Sequence, residues 1–395
     1  MQTNKLHILM IGMGWPDQQP GGLNTYVSSM AEQLALEHQL DVFVSCKEQV
    51  TSPATFQLHN IVAPDKGLKT KTKAFQLAAA KWMDEGTVDV VYAHFAPYSL
   101  GVAQEAKKRN IPVVVGFHGP WSQEMEVEGS GFLHALKCRA AKSIEMQMYR
   151  LADRFIVLSD RFRAILQDDY RVDDHHIVKI VGAADEKQFF PTKDKEKIRE
   201  LLQLPKQKKV VLSIRRLVHR MGLLELVDAW KQVVEQEDDV LLVIGGKGAL
   251  QDQLQQKIQT LGLAHHVLLT GYIPQDKLPL YYQAADLFVV PSQALEGFGL
   301  ITVEALASGT PVVATPIGGN SEILTPFSPH MVLKGTSALH MEEGLKHVIK
   351  NREQWPTSAE CRAYVEKHFT WEVVSRQVEE VLKSSLVKEG SEPCA

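Results

Sequence analysis

The stretch KVVLSIRRLVHRMGLLELVDAWKQVVEQEDDVLLVIG, residues 209–245, reads as an apolar β-branched run, a helical segment and a second apolar run. Strand, crossover helix and parallel strand form the repeating unit of doubly wound α/β sheets. The alternation continues outward in both directions. Downstream lie HVLLTG (266–271), DLFVVPS (286–292) and PVVAT (311–315); upstream lie LHILMIG (6–12), DVFVS (41–45), VDVVYAH (88–94), PVVVGF (112–117) and RFIVLS (154–159). It pauses at EKQFFPTKDKEKIRELLQLPKQK (186–208), where lysines crowd around Pro191 and Pro205. The expected fold class is therefore α/β, with two Rossmann-like doubly wound domains, 1–186 and 209–370, joined by a linker at 187–208. A C-terminal helix and tail follow at 371–395; WEVVSRQVEEVL (371–382) carries Val374, Val378 and Leu382 on one stripe and suits either domain, so it can cross back to the first. Ligands of open parallel sheets sit beyond the C-terminal strand ends, so two such domains facing across a cleft would hold the active site in that cleft.

Length and composition exclude several classes. A chain of 395 residues exceeds the roughly 250–300 at which a single core stops growing. Apolar residues at 45% and charged residues at 23% are ordinary for a globular protein, which sets aside disordered and collagen-like chains. A formal charge of -4 argues against a general nucleic-acid binder, which needs a basic excess. Cys46, Cys138, Cys361 and Cys394 form no C-x-x-C pair, so neither a zinc knuckle nor a disulfide framework is expected and a reducing cytoplasm is the simplest setting. The run LHILMIGMG lacks a basic leader and breaks at Trp15-Pro16-Asp17, as a buried strand does and a signal peptide does not. No apolar run approaches the ~18 residues of a spanning helix.

Several motifs fail on inspection. GMGWPD (12–17) has Asp17 where a dinucleotide fingerprint needs its third glycine. In GGKGAL (245–250), Lys247 is followed by Gly248 and not by Ser or Thr, so a Walker loop is excluded. DDYRVDDHH (168–176) is rich in ligand-type residues but lacks the spacing of a metal site and reads as a solvated loop. No Asp-x-Asp occurs to hold a metal against a diphosphate. His94 and His134, without supporting neighbours, read as structural.

Chemistry concentrates in EGFGLITVEALASGTPVVAT, residues 296–315. After Ser292 a short loop leads through GFG into the helix LITVEALASG, ending at Gly309. A helix N-terminus presents unpaired amides with partial positive charge, and glycines leave its backbone open, so a diphosphate docks well there. Glu296 precedes the turn, and Glu304 lies about one and a half turns inside the helix. Carboxylates repel phosphate but accept hydrogen bonds from sugar hydroxyls. A ligand with a diphosphate in the middle and a polyol at each end satisfies both, and a nucleotide sugar is such a ligand. Taken alone, the stretch equally allows Glu296 as a charge favourable to the helix dipole and Glu304 as a surface residue.

This segment resembles the E-x7-E signature of family 4 retaining glycosyltransferases (glycosyltransferase group 1), and the likeness covers nearly the whole chain. PGGLNTYV (20–27) is similar to the family's glycine-rich loop, FHGPW (117–121) to its histidine loop and DEKQFFP (185–191) to its D-x3-F-x-P. RRLVHRMG (215–222) is similar to R-L-V-P-E-K-G, GYIPQDKLPLYYQAADLFVVPS (271–292) to the stretch before the first glutamate, and FTWEVVSRQ (369–377) to the closing tryptophan helix. The resemblance implies the GT-B fold, with an acceptor-side N-terminal domain and a nucleotide-sugar donor domain after it.

It also implies roles. Glu296 would hold hydroxyls of the transferred sugar, Gly297, Phe298, Gly299 and Leu300 would offer amides to sugar and phosphate, and Glu304 would bind the ribose. Arg216 would pair with the diphosphate and, with His118 and Glu296, form the catalytic set. Gly21 and Gly22 would let backbone approach the donor or acceptor, and Asn24 and Trp121 would touch the acceptor. Where the family has a lysine this chain has Met221, and a thioether cannot neutralise a phosphate; Arg220 and Arg215 are both candidates to replace it.

The implied reaction moves a hexose or N-acetylhexosamine from a nucleotide diphosphate sugar, with UDP the commoner nucleotide, to a hydroxyl acceptor. It is front-face and retaining, and needs neither metal nor cofactor. A nucleotide-sugar epimerase or a non-catalytic sugar-nucleotide-binding protein are the alternatives. The acceptor, whether small molecule, glycan or lipid-linked, would be chosen by loops near Trp15 and Trp121 and by segment 122–150. There a helix carrying Phe132, Leu133 and Leu136 beside Lys137, Arg139 and Lys142 either packs on the domain, the favoured reading, or makes peripheral membrane contact. Trp15 and Trp121 are expected to stack on a sugar ring in preference to filling loop bases.

Overall fold

A computed structural model describes residues 5–48 and 50–387. Cys394 and the end of the C-terminal tail lie outside the described residues. By its contacts the chain divides into two compact units, one ending at Gly182 and resuming at Trp371, the other Ala183–Thr370.

The first unit carries a seven-stranded sheet built from β1 (His7–Ile11), β2 (Gln39–Val44), β3 (Gln57–Asn60), β4 (Val90–Ala93), β5 (Val113–Phe117), β6 (Arg154–Val157) and β7 (Ile177–Lys179). Its order is β3-β2-β1-β4-β5-β6-β7, with every pairing parallel. The apolar runs became the central strands, and β1 and β5 are buried at every position, as helices on both faces require. The edge strands β3 and β7 were not expected. Each buries a single residue, Leu58 or Ile177, so neither shows a continuous apolar run.

The second unit holds β8 (Lys209–Ile214), β9 (Val240–Gly245), β10 (Val267–Gly271), β11 (Leu287–Val290) and β12 (Val312–Ala314) in the parallel order β10-β9-β8-β11-β12. The helix Leu223–Val234 lays Leu223, Leu226, Val227, Trp230 and Val233 on this sheet at helical spacing, and Trp230 at its centre is fully buried. Its indole N–H donates to the His266 carbonyl at 3.0 Å, which satisfies the one polar atom the ring brings inside.

Where a linker was expected at 187–208, the chain forms a helix, Lys195–Leu201, that is built into the second unit. Arg199 on this helix is buried, donates from Nη2 to Asp286 at 2.5 Å and from Nε to the Ala284 carbonyl at 2.9 Å. Asp286 also accepts the Val210 amide at 2.8 Å, so one carboxylate ties this helix to the starts of β8 and β11. Lys187, Lys193, Lys197 and Lys206 on the solvent side gave the segment its spacer-like composition, whereas Lys195 also reaches Asp286 at 3.2 Å. The helix Trp371–Ser384, in turn, belongs to the first unit: Trp371 packs edge-on against Tyr26 with ring centroids 5.3 Å apart, and His38 meets Glu379 at 3.2 Å.

Removing one partner of a buried pair strands the other charge. Asp286→Ala is therefore expected to destabilise the second unit by about 3–5 kcal/mol, read from the urea midpoint; a loss below about 1 kcal/mol, the size of a surface pair, would contradict the anchoring role.

Candidate active site

In both sheets the strand order reverses beside the first strand of the unit, between β1 and β4 and between β8 and β11. Connections leaving such a pair diverge to opposite faces and open a crevice at the carboxyl ends. In the second unit that crevice is walled by the loop after β8, bearing Arg215, Arg216, Arg220 and Met221, and by the loop after β11, bearing Ser292 and Glu296.

The Glu296 loop is shaped by glycines. Gly299 has a φ of 94°, and a Cβ there would stand 2.2 Å from the Asn320 side-chain oxygen. Gly318 has a φ of 56°, and its Cβ would lie 1.8 Å from the Glu296 carbonyl oxygen. At Gly318 any side chain would collide with backbone, and at Gly299 it would have to displace the Asn320 side chain and adopt a φ that L-residues disfavour. Two helices start around this loop, Leu300–Ala307 and Gly319–Phe327, and Gly319 donates its amide to the Glu296 carbonyl at 3.4 Å. The first amides of a helix have no intrahelical acceptor, so two positive dipole ends converge on residues 296–300.

The two glutamates sit in opposed environments. Glu296 Oε2 accepts the Ser292 hydroxyl at 2.8 Å and forms an ion pair with Nη2 of Arg215. Both bonds fall on one oxygen and leave Oε1 for a further donor. Burial pushes the Glu296 carboxyl up, but the charge and hydrogen bond of Arg215, with the Ser292 hydroxyl and the Arg220 charge, together outweigh it, and the group is held below its usual range. Glu304 is buried, where a surface position was one of the readings, and accepts the Tyr282 hydroxyl at 2.9 Å. With no cation against it, burial raises its pKa to about 7, the tyrosine bond opposing only in part.

The basic residues also separate. Arg216 is exposed on the loop after β8. Arg220 is buried and donates from Nη1 to the Leu295 carbonyl at 3.2 Å, steadying a residue whose own φ is 52°. Arg215 lies against Met221, with Nε and Nη2 at 3.2 and 2.7 Å from the thioether sulfur.

In the first unit, His118 at the end of β5 does not stand alone. Its Nε2 lies 2.9 Å from Nδ1 of His94, which follows β4, so His94 is the supporting neighbour that was not foreseen. Burial pushes His118 down to about 3 and His94 well below its usual value, so both rings are neutral. His94 Nε2 is buried without a partner. The assignment that leaves no orphaned donor gives His94 its proton on Nδ1 and makes His118 Nδ1–H a donor.

Gly21 and Gly22 open the helix Gly22–Leu34, and a Cβ on Gly21 would meet nothing within 4 Å. Asn24, expected at the acceptor, is buried and spans the preceding loop, accepting from the Gly14 amide at 3.1 Å and donating to the Gln19 carbonyl at 2.6 Å. Trp15 is a correction: it is buried edge-on against Phe56 and fills a loop base. Trp121 begins the helix Trp121–Glu128, half-buried beside Phe95. The helix Phe132–Tyr149 packs through Cys138, Ala141, Glu145, Met148 and Tyr149 and leaves Phe132 and Leu133 in solvent.

The aspartates and histidines of 168–176 pair locally, Asp174 with Arg163 and Asp173 with His175. Among the described residues no group of three ligand-type side chains is placed to hold a metal, and no helix is long and apolar enough to cross a membrane.

Sequence reading missed Ser292, Tyr282, His94 and the Gly318–Gly319–Asn320 turn. A signal for two of these existed. GGN follows PVVAT as GFG follows DLFVVPS, a strand then glycines then a helix, and His94 ends its strand as His118 ends the next.

Known proteins place the chain. The model for glycosyl transferases group 1 matches residues 194–368, and that for glycosyltransferase family 4 matches 20–187. D-inositol 3-phosphate glycosyltransferase of Corynebacterium urealyticum is 27% identical over 390 residues, covering 92% of this chain and 91% of that protein. Mannosylfructose-phosphate synthase of Agrobacterium fabrum is 35% identical over 185 residues, 44% of this chain and 40% of its own length. Among solved structures, sucrose-phosphate synthase from Thermosynechococcus elongatus superposes with a TM-score of 0.82 at 22% identity, covering 96% of this chain and 99% of that one. HepE of Anabaena, solved with UDP, superposes at 0.76 and 21% identity, covering 96% and 100%. With a parallel α/β fold in each unit and a family match to each, the chain has the GT-B fold and belongs to the family 4, group 1 glycosyltransferases.

Proposed function

We propose that this glycosyltransferase takes a hexose or N-acetylhexosamine from a UDP-sugar and passes it to a hydroxyl acceptor with retention, without a metal or cofactor. The observation that supports this most is the pairing of opposed carboxylates around the start of helix Leu300–Ala307. Glu296 is kept ionised by Arg215 with Oε1 unspent, and Glu304 is buried one turn further in. The diphosphate is assigned to the amides of Gly297–Leu300, the transferred sugar to Glu296 and the ribose to Glu304. UDP, the nucleotide bound in the HepE structure, is the first to try.

In the reaction the C1–O bond to the β-phosphate breaks, and its electron pair stays on the phosphate. The acceptor oxygen bonds C1 from the same face, and its proton passes to the departing phosphate. The protein's part is electrostatic. Helix amides and Arg216 stabilise negative charge as it grows on the leaving group, in place of a metal ion. Glu296 fixes the sugar and so supplies orientation. On the first unit, His118 and Trp121 are the proposed contacts.

Glu296→Gln and Arg216→Ala are each expected to lower sugar transfer by about 10²–10³-fold, with Tm near wild type in Arg216→Ala and lowered in Glu296→Gln, which strands the buried Arg215 charge. Full transfer in either variant contradicts the assignment. Because ribose hydroxyls donate to an ionised carboxylate, UDP should bind more tightly as pH rises from 6 to 8. The stability of the free protein moves oppositely: the folded state holds the Glu304 proton up to about 7 and the unfolded chain only to 4.5, so stability falls with rising pH across that window and levels above it. Glu304→Gln should flatten both profiles; profiles unchanged in that variant would remove Glu304 from the site.

A further inference from the structure

A diphosphate in this crevice would meet Met221 where a lysine stands in the family's pattern, and Met221 is buried. Of the two arginines able to make good the charge, Arg220 is directed to the backbone: its Nη1 holds the Leu295 carbonyl beneath the Glu296 loop. Arg215 is placed differently. The edge of its guanidinium donates from Nε and Nη2 to the Met221 sulfur, and Nη2 also reaches Glu296. Its remaining nitrogen, Nη1, is buried and has no hydrogen-bond partner. The side chain is 5% exposed, so bulk solvent does not reach it. An unpaired charged donor in such a place is costly, and it is best satisfied by an anionic oxygen arriving with a ligand.

We propose that Arg215 replaces the missing lysine, binding the donor's diphosphate through Nη1, and that Met221 is a positioning residue whose sulfur orients the guanidinium. The assignment rests on the nucleotide-sugar reading above. It also links two halves of the site: one guanidinium keeps Glu296 ionised for the sugar and neutralises the phosphate from which that sugar departs. A methionine suits the exchange, because a lysine at 221 would set an ammonium against the guanidinium already there. A planar fork can engage carboxylate, sulfur and phosphate together, which a point charge cannot.

The test measures affinity for UDP and for uridine, which lacks phosphate, together with sugar transfer from a UDP-sugar. Arg215→Ala should weaken UDP at least tenfold, leave uridine unchanged and lower transfer at least a hundredfold. Arg215→Ala/Met221→Lys, which returns a cation to the same space, should recover most of the UDP affinity. Met221→Lys with Arg215 intact should bind UDP more weakly than the double variant. Arg220→Ala, which only loosens the loop carrying amides 297–300, should weaken UDP less than Arg215→Ala does. Unchanged UDP affinity in Arg215→Ala, or a larger loss of UDP in Arg220→Ala than in Arg215→Ala, overturns the assignment. If wild type binds none of UDP, GDP and ADP, it is the nucleotide-sugar reading that fails, and this inference with it. Folding is controlled by the double variant and by uridine binding.

Discussion

The site in the second unit depends on the ion pair between Arg215 and Glu296. A carboxylate taken out of water costs several kcal/mol unless a partner offsets the loss. Arg215 is that partner, and Glu304, a helix turn away from the same mouth, shows what happens without one: its pKa rises to about 7. The pair is set by the sheet. Arg215 follows β8, Glu296 follows β11, and the two strands are hydrogen-bonded neighbours across the reversal of strand order. Sheet topology thus fixes the separation of the two side chains, and glycines 299 and 318 fix the path of the loop that brings the carboxylate back.

From this arrangement the chemistry divides. Glu296 is ionised and anchored through one oxygen, so it is a steady acceptor for a reacting sugar in the proposed reaction. Glu304 is poised near neutrality and depends on what binds it. Two helix N-termini and a cluster of arginines provide fixed positive charge around the same loop. Such preorganised charge is what a departing diphosphate needs, and it requires no side-chain nucleophile.

The sequence exposed much of this, and its gaps have physical causes. Central strands were legible because burial on both faces demands uninterrupted apolar runs. Edge strands β3 and β7 were not, because one buried residue each leaves no pattern. The segment 187–208 looked like a spacer because most of its lysines face solvent, while Lys195 and Arg199, which tie it to Asp286, are indistinguishable in sequence from surface charges. Glu296 and Glu304 stood out by spacing from a glycine turn, yet their opposed ionisation depends on whether a cation stands alongside, a fact of tertiary packing. The same holds for His94, which reads as a lone histidine until adjacent parallel strands bring it to His118. Asn24 and Trp15 show the converse: polar and aromatic residues in a ligand-like loop were taken up by the loop itself.

The most direct measurement is a crystal structure of the protein with UDP or a UDP-sugar bound. Diphosphate oxygens are expected within hydrogen-bond distance of the amides at 297–300, with a ribose hydroxyl on Glu304 and, with the sugar present, a hexose hydroxyl on Glu296. A nucleotide lodged elsewhere, with the mouth of the helix Leu300–Ala307 unoccupied, would contradict this placement.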